Sequence, residues 1–409
     1  MLRFAPLLIG DMHIGDLRIA IINYIVAKQK QSSLFCCIDD MQSSNDALVQ
    51  EILKKFALDF DQLIYRSQNR KIYQEMAVRL IQSGKAFVCT CKNRELKDGY
   101  ICNNKECKQN TTPQKLQQLK EQGDSFDIRI DATTASVSFK DIIKGTLKKN
   151  SIDNFVILDS KGVPTDSFAS AIDVMSMQID YVIKDEDTLE DTFKEIYILN
   201  SLNYNADIQY AHLPKIINAQ NISLIELLSN GFLPDAIINY LLDISNPTQN
   251  DIFKLPDAIK WFDLANIPNK SIEFDIKRLE YLNKEHLYSY TPLEFSKLFG
   301  FADEDIGNLA KLYIEDSVTL DKIREKIDTI FAPKRCNKKM NIVSKAIQKS
   351  PYINNFEQFK NYLASECNLT QDEVELALRE LITQESKGPS LFQLYNYTKS
   401  YITEIAKCQ

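Results

Sequence analysis

The first thirty residues constrain the fold more strongly than any other part of the sequence. Residues 2–5 form a short apolar stretch, and a turn through Gly10 and Asp11 follows it. Residues 17–28 then place apolar side chains at helical spacing, which predicts an amphipathic helix. A strand, a loop and a helix in this order are typical of a Rossmann-like α/β domain.

Three later segments are predicted strands of the same domain, because each is short and apolar, and the last of them is also rich in β-branched residues. They are residues 34–38, 155–158 and 181–183, and a helical pattern covers residues 45–56. We expect these strands to complete a parallel sheet, which an insertion interrupts at about residues 85–150.

From about residue 223 the sequence is dominated by helical patterns. Thr370 and Glu373 have the spacing of a capping box at the start of a helix. Residues 317–331 place four apolar residues on one helical face: Leu320, Ile323, Ile327 and Ile330. The last third is therefore predicted to be an all-helical module.

The composition indicates a multidomain protein without a membrane span. The 409 residues are 44% hydrophobic and 26% charged, enough apolar material for two or three globular domains. The apolar stretches near the start are short or interrupted, so no signal peptide or membrane helix is predicted. The nine cysteines show no regular disulfide framework, which favours a reducing cytoplasm. The net charge of −7 argues against nucleic-acid binding by bulk electrostatics, although local basic patches remain compatible with it.

Several ordered segments resemble one family. The opening sequence RFAPLLIGDMHIGDLRIAIINYIVAKQ is similar to the first strand and HIGH-type signature of glutamyl-tRNA synthetases. The stretch VILDSKGVPTDSFASAIDVMSMQIDYVIKDEDTLEDT resembles the family pattern VILRSDGTPTYNFA to VIRGEDHxxNTP, and YAHLP, GFLPDAIINYLL and FDIKRLEYLNKEHL are also similar. Over about 280 residues the chain is identified as a divergent, second-copy type of bacterial glutamyl-tRNA synthetase with degraded active-site motifs.

The resemblance implies a class I synthetase architecture, namely an α/β Rossmann-like catalytic domain with an α+β insertion, followed by an all-α helical anticodon-binding domain. The catalytic domain would comprise residues 1–84 and 151–222. Residues 85–150 would form the inserted acceptor-end subdomain. Residues 223–290 would connect it to the anticodon-binding domain at residues 291–409 and contact the tRNA stem.

The resemblance also implies an activity. The family joins glutamate to the α-phosphate of ATP with Mg²⁺, and then passes the glutamyl group to the terminal ribose of tRNA. Glutamate, ATP and tRNA-Glu or tRNA-Gln are the implied partners of a monomeric, cytoplasmic protein. His13 and Gly15 precede a helix, where amide donors and the helix dipole attract phosphates, and they form the predicted ATP site with Glu186 and Asp187.

The predicted glutamate site comprises Arg3, Ala5, Asp39 and Lys184. Arg3 matches a family arginine that recognises a carboxylate. Lys184 replaces a second such arginine and lacks its planar fork, while Asp39 replaces a glutamate. Three further aspartates add negative charge where an anionic amino acid and ATP have to enter: Asp16, Asp166 and Asp185.

A loop of the family is missing after the sequence HLP. The family has a KMSKS-type loop there, whose lysines stabilise the triphosphate and the leaving pyrophosphate. In this chain residues 215–223 lead directly into the helix before GFLP, and Lys215 is the nearby cation. Losing one transition-state donor commonly costs about 10²–10³ in rate, so ligation is expected to be weak.

Other interpretations stay open. Some retained residues either form a nucleotide site or persist because they cap turns: Asp40, Pro164, Thr165, Glu186 and Asp187. One alternative function is a catalytically inactive paralogue that binds tRNA or regulates another protein. Another is adenylation of a different small acid, because Lys184 and the additional aspartates suit a cationic or neutral substrate.

Four cysteines of the predicted insertion form a CxC…CxxxxC arrangement: Cys89, Cys91, Cys102 and Cys107. Such a set predicts a tetrahedral Zn²⁺ site, and many family members carry zinc in this subdomain. The alternative is four free cysteines in a tolerant surface insertion. The other cysteines are predicted to be scattered reduced residues: Cys36, Cys37, Cys336, Cys367 and Cys408.

Two basic clusters are candidate tRNA contacts, with a solvated surface as the alternative. The first cluster is Lys144, Lys148 and Lys149, and the second is Lys334, Arg335, Lys338 and Lys339. His212 and His286 are expected to have ordinary core or surface roles.

Overall fold

The computed structural model describes residues 1–6, 12–41, 46–91, 101–109, 111–132, 135–219, 222–248 and 250–409. The turn predicted at Gly10 and Asp11 and the predicted start of the second helix at residue 45 lie outside these residues. Two compact units are present, which we call the α/β unit and the helical unit. The α/β unit comprises Met1–Leu224 and Leu241–Phe274, and the helical unit comprises Ile225–Tyr240 and Asp275–Gln409.

The bounds of the described strands and helices are as follows. The strands are β1 (Leu2–Phe4), β2 (Leu34–Ile38), β3 (Gln62–Tyr65), β4 (Ala86–Cys89), β5 (Asp127–Ile130), β6 (Ala135–Asp141), β7 (Gly145–Ile152), β8 (Phe155–Leu158), β9 (Tyr181–Asp185), β10 (Gln209–Leu213), β11 (Ile216–Ile217) and β12 (Ile272–Glu273). The helices are α1 (Ile14–Lys30), α2 (Asp46–Lys55), α3 (Arg70–Gln82), α4 (Lys105–Gln109), α5 (Pro113–Gln122), α6 (Asp166–Ser176), α7 (Leu189–Ser201), α8 (Leu224–Ser229), α9 (Pro234–Ser245), α10 (Leu255–Trp261), α11 (Ile276–Ser289), α12 (Pro292–Lys297), α13 (Glu304–Lys311), α14 (Leu320–Phe331), α15 (Lys338–Ile347), α16 (Phe356–Cys367), α17 (Gln371–Thr383), α18 (Leu391–Thr398) and α19 (Ile402–Ile405).

The α/β unit is built on a seven-stranded sheet in the order β3-β2-β1-β9-β10-β6-β7. All neighbouring strands are parallel except β6 and β7, which form an antiparallel hairpin. The three residues of β1 are buried, as expected for a central parallel strand covered on both faces. Helix α1 follows β1 in the chain, which confirms the predicted strand and helix of a Rossmann-like domain.

One predicted strand joins a different sheet from the one that the sequence predicted. The predicted parallel strand at residues 155–158 is β8, which instead pairs antiparallel with β5 in a separate three-stranded sheet, β4-β5-β8. The hairpin of β6 and β7 lies in the main sheet, where Asp141 is in register with Tyr210. A short apolar run fits either kind of sheet, so its pattern could not identify the partner strand.

The helical unit has a continuous apolar core. Ile323, Ile327 and Ile330 of α14 are buried in this core, as predicted. The predicted capping box begins α17, where the hydroxyl of Thr370 accepts from the Glu373 amide at 3.3 Å. No helix in the described ranges combines the length and apolar character needed to cross a bilayer.

Three residues of the helical unit differ from the sequence predictions. Cys336 and Cys408, predicted to be reduced, form a disulfide across 72 residues of sequence. Lys334, predicted to contact tRNA, is fully buried, and its ammonium donates to the carbonyls of Thr329 and of Ile330, the latter at 2.8 Å. Both differences arise because the chain end pairs with the segment after α14, where the Gln409 amide donates to the Lys334 carbonyl at 3.0 Å. Sequence spacing carries no signal for this long-range pairing.

Candidate active site

A cavity of about 160 Å³ lies beside β1 and β9 in the α/β unit. Three predicted glutamate-site residues, Arg3, Ala5 and Lys184, line it together. The charged lining comprises three cations and five carboxylates: Arg3, Arg66, Lys184, Asp16, Asp166, Asp185, Asp191 and Glu195. The lining therefore has an excess of two negative charges, and the arrangement of its ion pairs decides what the cavity can bind.

Arg3 is held on the floor of the cavity by helix α6. Its Nη1 donates to Asp173 Oδ2 at 3.0 Å, and its Nη2 donates to Ser170 Oγ at 2.7 Å. Asp173 is 1% exposed and also accepts from the Tyr73 hydroxyl at 2.7 Å. Burial and the Asp173 carboxylate raise the pKa of Tyr73, so this hydroxyl keeps its proton. Both outer nitrogens of the Arg3 guanidinium already have buried partners.

Lys184 at the end of β9 forms an ion pair with Glu195 of α7 and lies 3.3 Å from Ser170 Oγ. Burial lowers the pKa of Lys184, and the Glu195 carboxylate opposes that shift. The Glu195 side chain is only 3% exposed. The lysine that replaces the family arginine is therefore committed to a carboxylate of the protein.

Arg66 is a third cation of the cavity, and sequence reasoning missed it. Its Nη1 donates at 2.8 Å to Asp39 and at 2.8 Å to Asp166. Burial alone would lower the pKa of Arg66, but Asp173, Asp39 and Asp166 raise it. Asp39, the remaining residue of the predicted glutamate site, thus reaches the cavity through Arg66, and the charge of Asp166 is largely compensated.

Glu186 and Asp187 of the predicted ATP site bind two lysines. Glu186 accepts from the Lys144 ammonium at 2.5 Å and from the Lys215 amide at 2.9 Å. Burial favours a higher pKa for Glu186, but these bonds hold its pKa below the usual value. The Lys215 ammonium lies 2.5 Å from Asp187. Lys144, predicted to contact tRNA, is instead directed to Glu186, and its side chain is 12% exposed.

His13 is the N-cap residue of α1, and Gly15 is the second residue of that helix. The His13 amide donates to Asp16 at 3.2 Å, so Asp16 caps the helix. Burial raises the pKa of Asp16. A Cβ atom at Gly15 would meet no described atom within 4 Å. Packing within the described residues therefore does not require glycine at this position.

The segment that lacks the KMSKS-type loop runs closely past α1. Ser223 forms a bridge with His13, and Arg18 donates to the Pro214 carbonyl. Arg18 is 1% exposed, and its Nε and Nη1 make no hydrogen bond to any described residue. Lys215 is the one lysine or arginine between Pro214 and the GFLP sequence. The lysine pair of the family loop therefore has no counterpart there.

The two histidines predicted to have ordinary roles are buried and hydrogen-bonded. His212 Nδ1 lies 2.7 Å from Asp141, and its Nε2 lies 2.8 Å from the Thr192 hydroxyl. His286 Nε2 lies 2.9 Å from Asn239 within the helical unit. Both act as polar parts of the cores that contain them.

The sulfur atoms of Cys89, Cys91, Cys102 and Cys107 lie within 4.8 Å of one another. Cys91 Sγ is 3.8 Å from Cys102 Sγ and 3.6 Å from Cys107 Sγ. A tetrahedral zinc ion with Zn–S bonds of about 2.3 Å separates its sulfur ligands by roughly 3.8 Å. Burial raises the pKa of Cys107 to about 11. Because three of these thiols are buried, the alternative of a surface set of free cysteines loses support, and the donor set fits Zn²⁺.

Comparisons with known proteins agree with this architecture. Residues 1–281 match the family of class I tRNA synthetases (E and Q), catalytic domain. The glutamate–tRNA ligase 2 of Sulfurovum sp. is 38% identical over 428 residues, covering 99% of this chain and 100% of that protein. The glutamate–tRNA ligase 2 of Sulfurimonas denitrificans is 37% identical over 434 residues, covering 100% of both. A solved structure of a glutamate tRNA ligase from Elizabethkingia meningosepticum has a TM-score of 0.78 at 21% identity, covers 99% of this chain and 98% of its own, and shares the fold. The chain therefore belongs to the glutamyl-tRNA synthetase family.

Proposed function

We propose that this chain ligates glutamate to tRNA through a glutamyl-adenylate intermediate, using ATP and Mg²⁺ in the cytoplasm. The observation that carries the proposal is the cavity beside β1 and β9, where Arg3 and Lys184 from two matched motifs come together. Full-length similarity to proteins named glutamate–tRNA ligase supports it. The tRNA partner is tRNA-Glu or tRNA-Gln, and the enzyme acts as a monomer.

The proposed residue roles follow the geometry. Arg3, Ala5, Asp39 and Lys184 surround or orient the glutamate. His13 and Gly15 position the phosphates at the start of α1, where the helix dipole favours anions. ATP with Mg²⁺ supplies the activated phosphate when bound. Glu186 and Asp187 complete this site by fixing Lys144 and Lys215 beside it. The residues contribute mainly by positioning and by stabilising charge.

We propose that ligation is slow. The lysine pair of the KMSKS-type loop is missing, and Lys215 is already paired with Asp187. Removing a single transition-state donor commonly lowers the rate by about 10²–10³. Loss of the pair is therefore expected to lower it further, with effects on turnover larger than those on substrate binding.

We also propose that the four clustered cysteines hold one structural Zn²⁺. The fit of the sulfur separations to a tetrahedral site supports this assignment. We retain as proposals the predicted divisions, with residues 85–150 as the acceptor-end insertion and residues 291–409 as the anticodon-binding domain. Elemental analysis of protein purified without chelator is expected to give one zinc per chain, and finding none would remove the metal assignment.

The test of ligation is glutamate-dependent exchange of pyrophosphate into ATP, measured with and without tRNA. We expect exchange with glutamate at a rate far below the usual turnover of about 1–10³ per second. Aspartate and glutamine serve as comparison substrates, and the Arg70→Gln variant, on the exposed surface, serves as the control for Arg3→Gln. The proposal is wrong if glutamate supports no exchange in the presence of tRNA.

A further inference from the structure

We propose that Arg66 binds a carboxylate of the amino-acid substrate, and that Asp166 is a built-in competitor that occupies Arg66 when the substrate is absent. The inference rests on the proposed function, because it concerns the amino-acid cavity of the same site. It gives a positive role to Arg66, which no part of the sequence resemblance pointed to, and a regulatory role to a residue that otherwise only repels the substrate.

The three cations of the cavity differ in whether their partners can leave. Arg3 is held by Asp173, whose side chain is 1% exposed, and Lys184 is held by Glu195, whose side chain is 3% exposed. A buried carboxylate that loses its cation is left without compensation in a poorly solvated site, which is strongly unfavourable. Neither pair can therefore open to admit a substrate carboxylate.

Arg66 has a partner that can leave. The Asp166 side chain is 54% exposed, whereas that of Arg66 is 8% exposed. Exposed ion pairs contribute little, because water replaces the lost contact. Asp166 is also the first residue of α6, where the helix dipole stabilises a carboxylate that turns away from Arg66. A substrate carboxylate can therefore replace Asp166 at Arg66 at small cost.

Arg66 has hydrogen-bonding capacity left for such a ligand. Its Nη1 donates to both Asp39 and Asp166, and its Nε faces Asp173 Oδ2 at 3.7 Å, whereas Nη2 makes no hydrogen bond to any described residue. Asp39, only 21% exposed, stays on Nη1 and fixes the plane of the guanidinium. A guanidinium oriented in this way binds a carboxylate through two parallel bonds, which the ammonium of Lys184 cannot do.

The charge of the lining supports the same exchange. With three cations and five carboxylates, the cavity carries an excess of two negative charges before any ligand enters. An anionic amino acid would increase that excess if every lining group stayed in place. Movement of Asp166 into solvent removes one negative charge from the cavity, so binding of the substrate and departure of Asp166 favour each other.

The experiment compares two variants that make the same charge change in the same cavity. Asp166→Asn removes the competitor. Asp191→Asn is the matched control, since Asp191 also lines the cavity, is 44% exposed and pairs with Lys194 rather than Arg66. Glutamate binding is measured on the full-length protein by calorimetry, and the KM values for glutamate and ATP are measured by tRNA-dependent pyrophosphate exchange.

We expect Asp166→Asn to strengthen glutamate binding about tenfold, the change that follows from freeing one charge-assisted contact. Asp191→Asn removes one negative charge from the same lining without freeing Arg66, so it should strengthen binding by less than about threefold. Arg66→Gln should weaken binding about tenfold or more. The KM for ATP should stay constant in Asp166→Asn. Circular dichroism checks that each variant is folded.

Each outcome separates the inference from the proposed function. Equal effects of Asp166→Asn and Asp191→Asn, or weaker binding in Asp166→Asn, would overturn the role of Arg66. Absence of glutamate binding in both the unaltered protein and Asp166→Asn would overturn it as well. If glutamate binds, and binds more tightly in Asp166→Asn, while no variant exchanges pyrophosphate, the inference stands and the ligase proposal fails.

Discussion

The two units bury charged side chains to very different extents. Within the described ranges, eight Asp, Glu and Arg residues of the α/β unit are buried, and in the helical unit Lys334 is the one buried Asp, Glu, Lys or Arg. The eight are Arg3, Arg18, Arg66, Asp127, Arg129, Asp141, Asp173 and Glu195. The helical unit instead has a core of aliphatic and aromatic residues and a disulfide.

This difference indicates that the buried charges of the α/β unit do more than stabilise its fold. Apolar side chains of similar volume often stabilise a core as well as a buried ion pair or better. The α/β unit nevertheless keeps three ionic groups, Arg3, Arg66 and Lys184, around one cavity. We infer that its charges are retained for ligand recognition, whereas the helical unit depends on packing. Four predictions test this contrast.

The largest loss of stability is expected for Asp173→Asn in the α/β unit. Asp173 is the shared carboxylate of Arg3, Arg66 and Tyr73, and removal of one partner from a buried pair typically costs about 3–5 kcal/mol. Hydrogen exchange followed by mass spectrometry should show lost protection in the α/β unit and an unchanged helical unit. The control Asp180→Asn removes an exposed pair with the N-terminus and should cost less than about 1 kcal/mol.

Removal of the disulfide of the helical unit should give the next largest loss of stability. Closing a loop of 72 residues restricts the unfolded chain, and such links typically contribute about 2–4 kcal/mol. Cys336→Ser with Cys408→Ser should lower the denaturant midpoint of the helical unit by a corresponding amount. Cys367→Ser, which removes a free thiol, is the control. A midpoint that is identical with and without reductant would show that the link makes no contribution.

The buried Lys334 should have a smaller effect on the free energy of unfolding, confined to a defined pH range. Burial lowers the pKa of Lys334 from 10.5 to about 8. Between these values the unfolded chain binds more protons than the folded one, so stability rises as pH increases from about 8 to 10.5. The gain between pH 8 and pH 10 should be roughly 2 kcal/mol. Lys334→Met should remove this rise, whereas Lys338→Met, on the exposed surface, should keep it.

The sequence predicted local features better than distant contacts. The first strand and helix, the Thr370 capping box and the meeting of Arg3 with Lys184 follow from local patterns or from matched motifs, and all are present. The partners of Arg66 could not be predicted, because Asp39 and Asp166 lie 27 and 100 residues away in sequence. An ion pair across such distances leaves no periodic signal.

The same reason explains why the predictions for residues 155–158 and for Lys334 were wrong. Residues 155–158 are apolar, but β-strand pairing depends on which neighbour is available in space, and the neighbour is β5. Lys334 stands in a basic run, yet the pairing of the C-terminal segment buries it. The sequence therefore shows where the charged residues are, but the burial of each one depends on tertiary contacts.

The smallest effect is expected for tRNA binding by the helical unit. Because Lys334 is buried and Lys339 pairs with Glu373, Arg335 and Lys338 are the members of the predicted cluster that remain exposed without a recorded ion pair among the described residues. Each phosphate contact that is lost should reduce the slope of log affinity against log salt by about 0.7–0.9. Changing both to alanine should therefore reduce that slope by about 1–2 and weaken binding by about threefold to tenfold at moderate salt.

The matched control changes two exposed lysines of the α/β unit, Lys71 and Lys161, to alanine, which alters the net charge equally. Filter binding with total tRNA over a range of salt concentrations measures both variants. If only the Arg335 and Lys338 variant loses slope, the cluster contacts phosphates directly. If both variants lose the same amount, the effect is one of overall charge on an already acidic protein, and the helical unit binds tRNA by other residues.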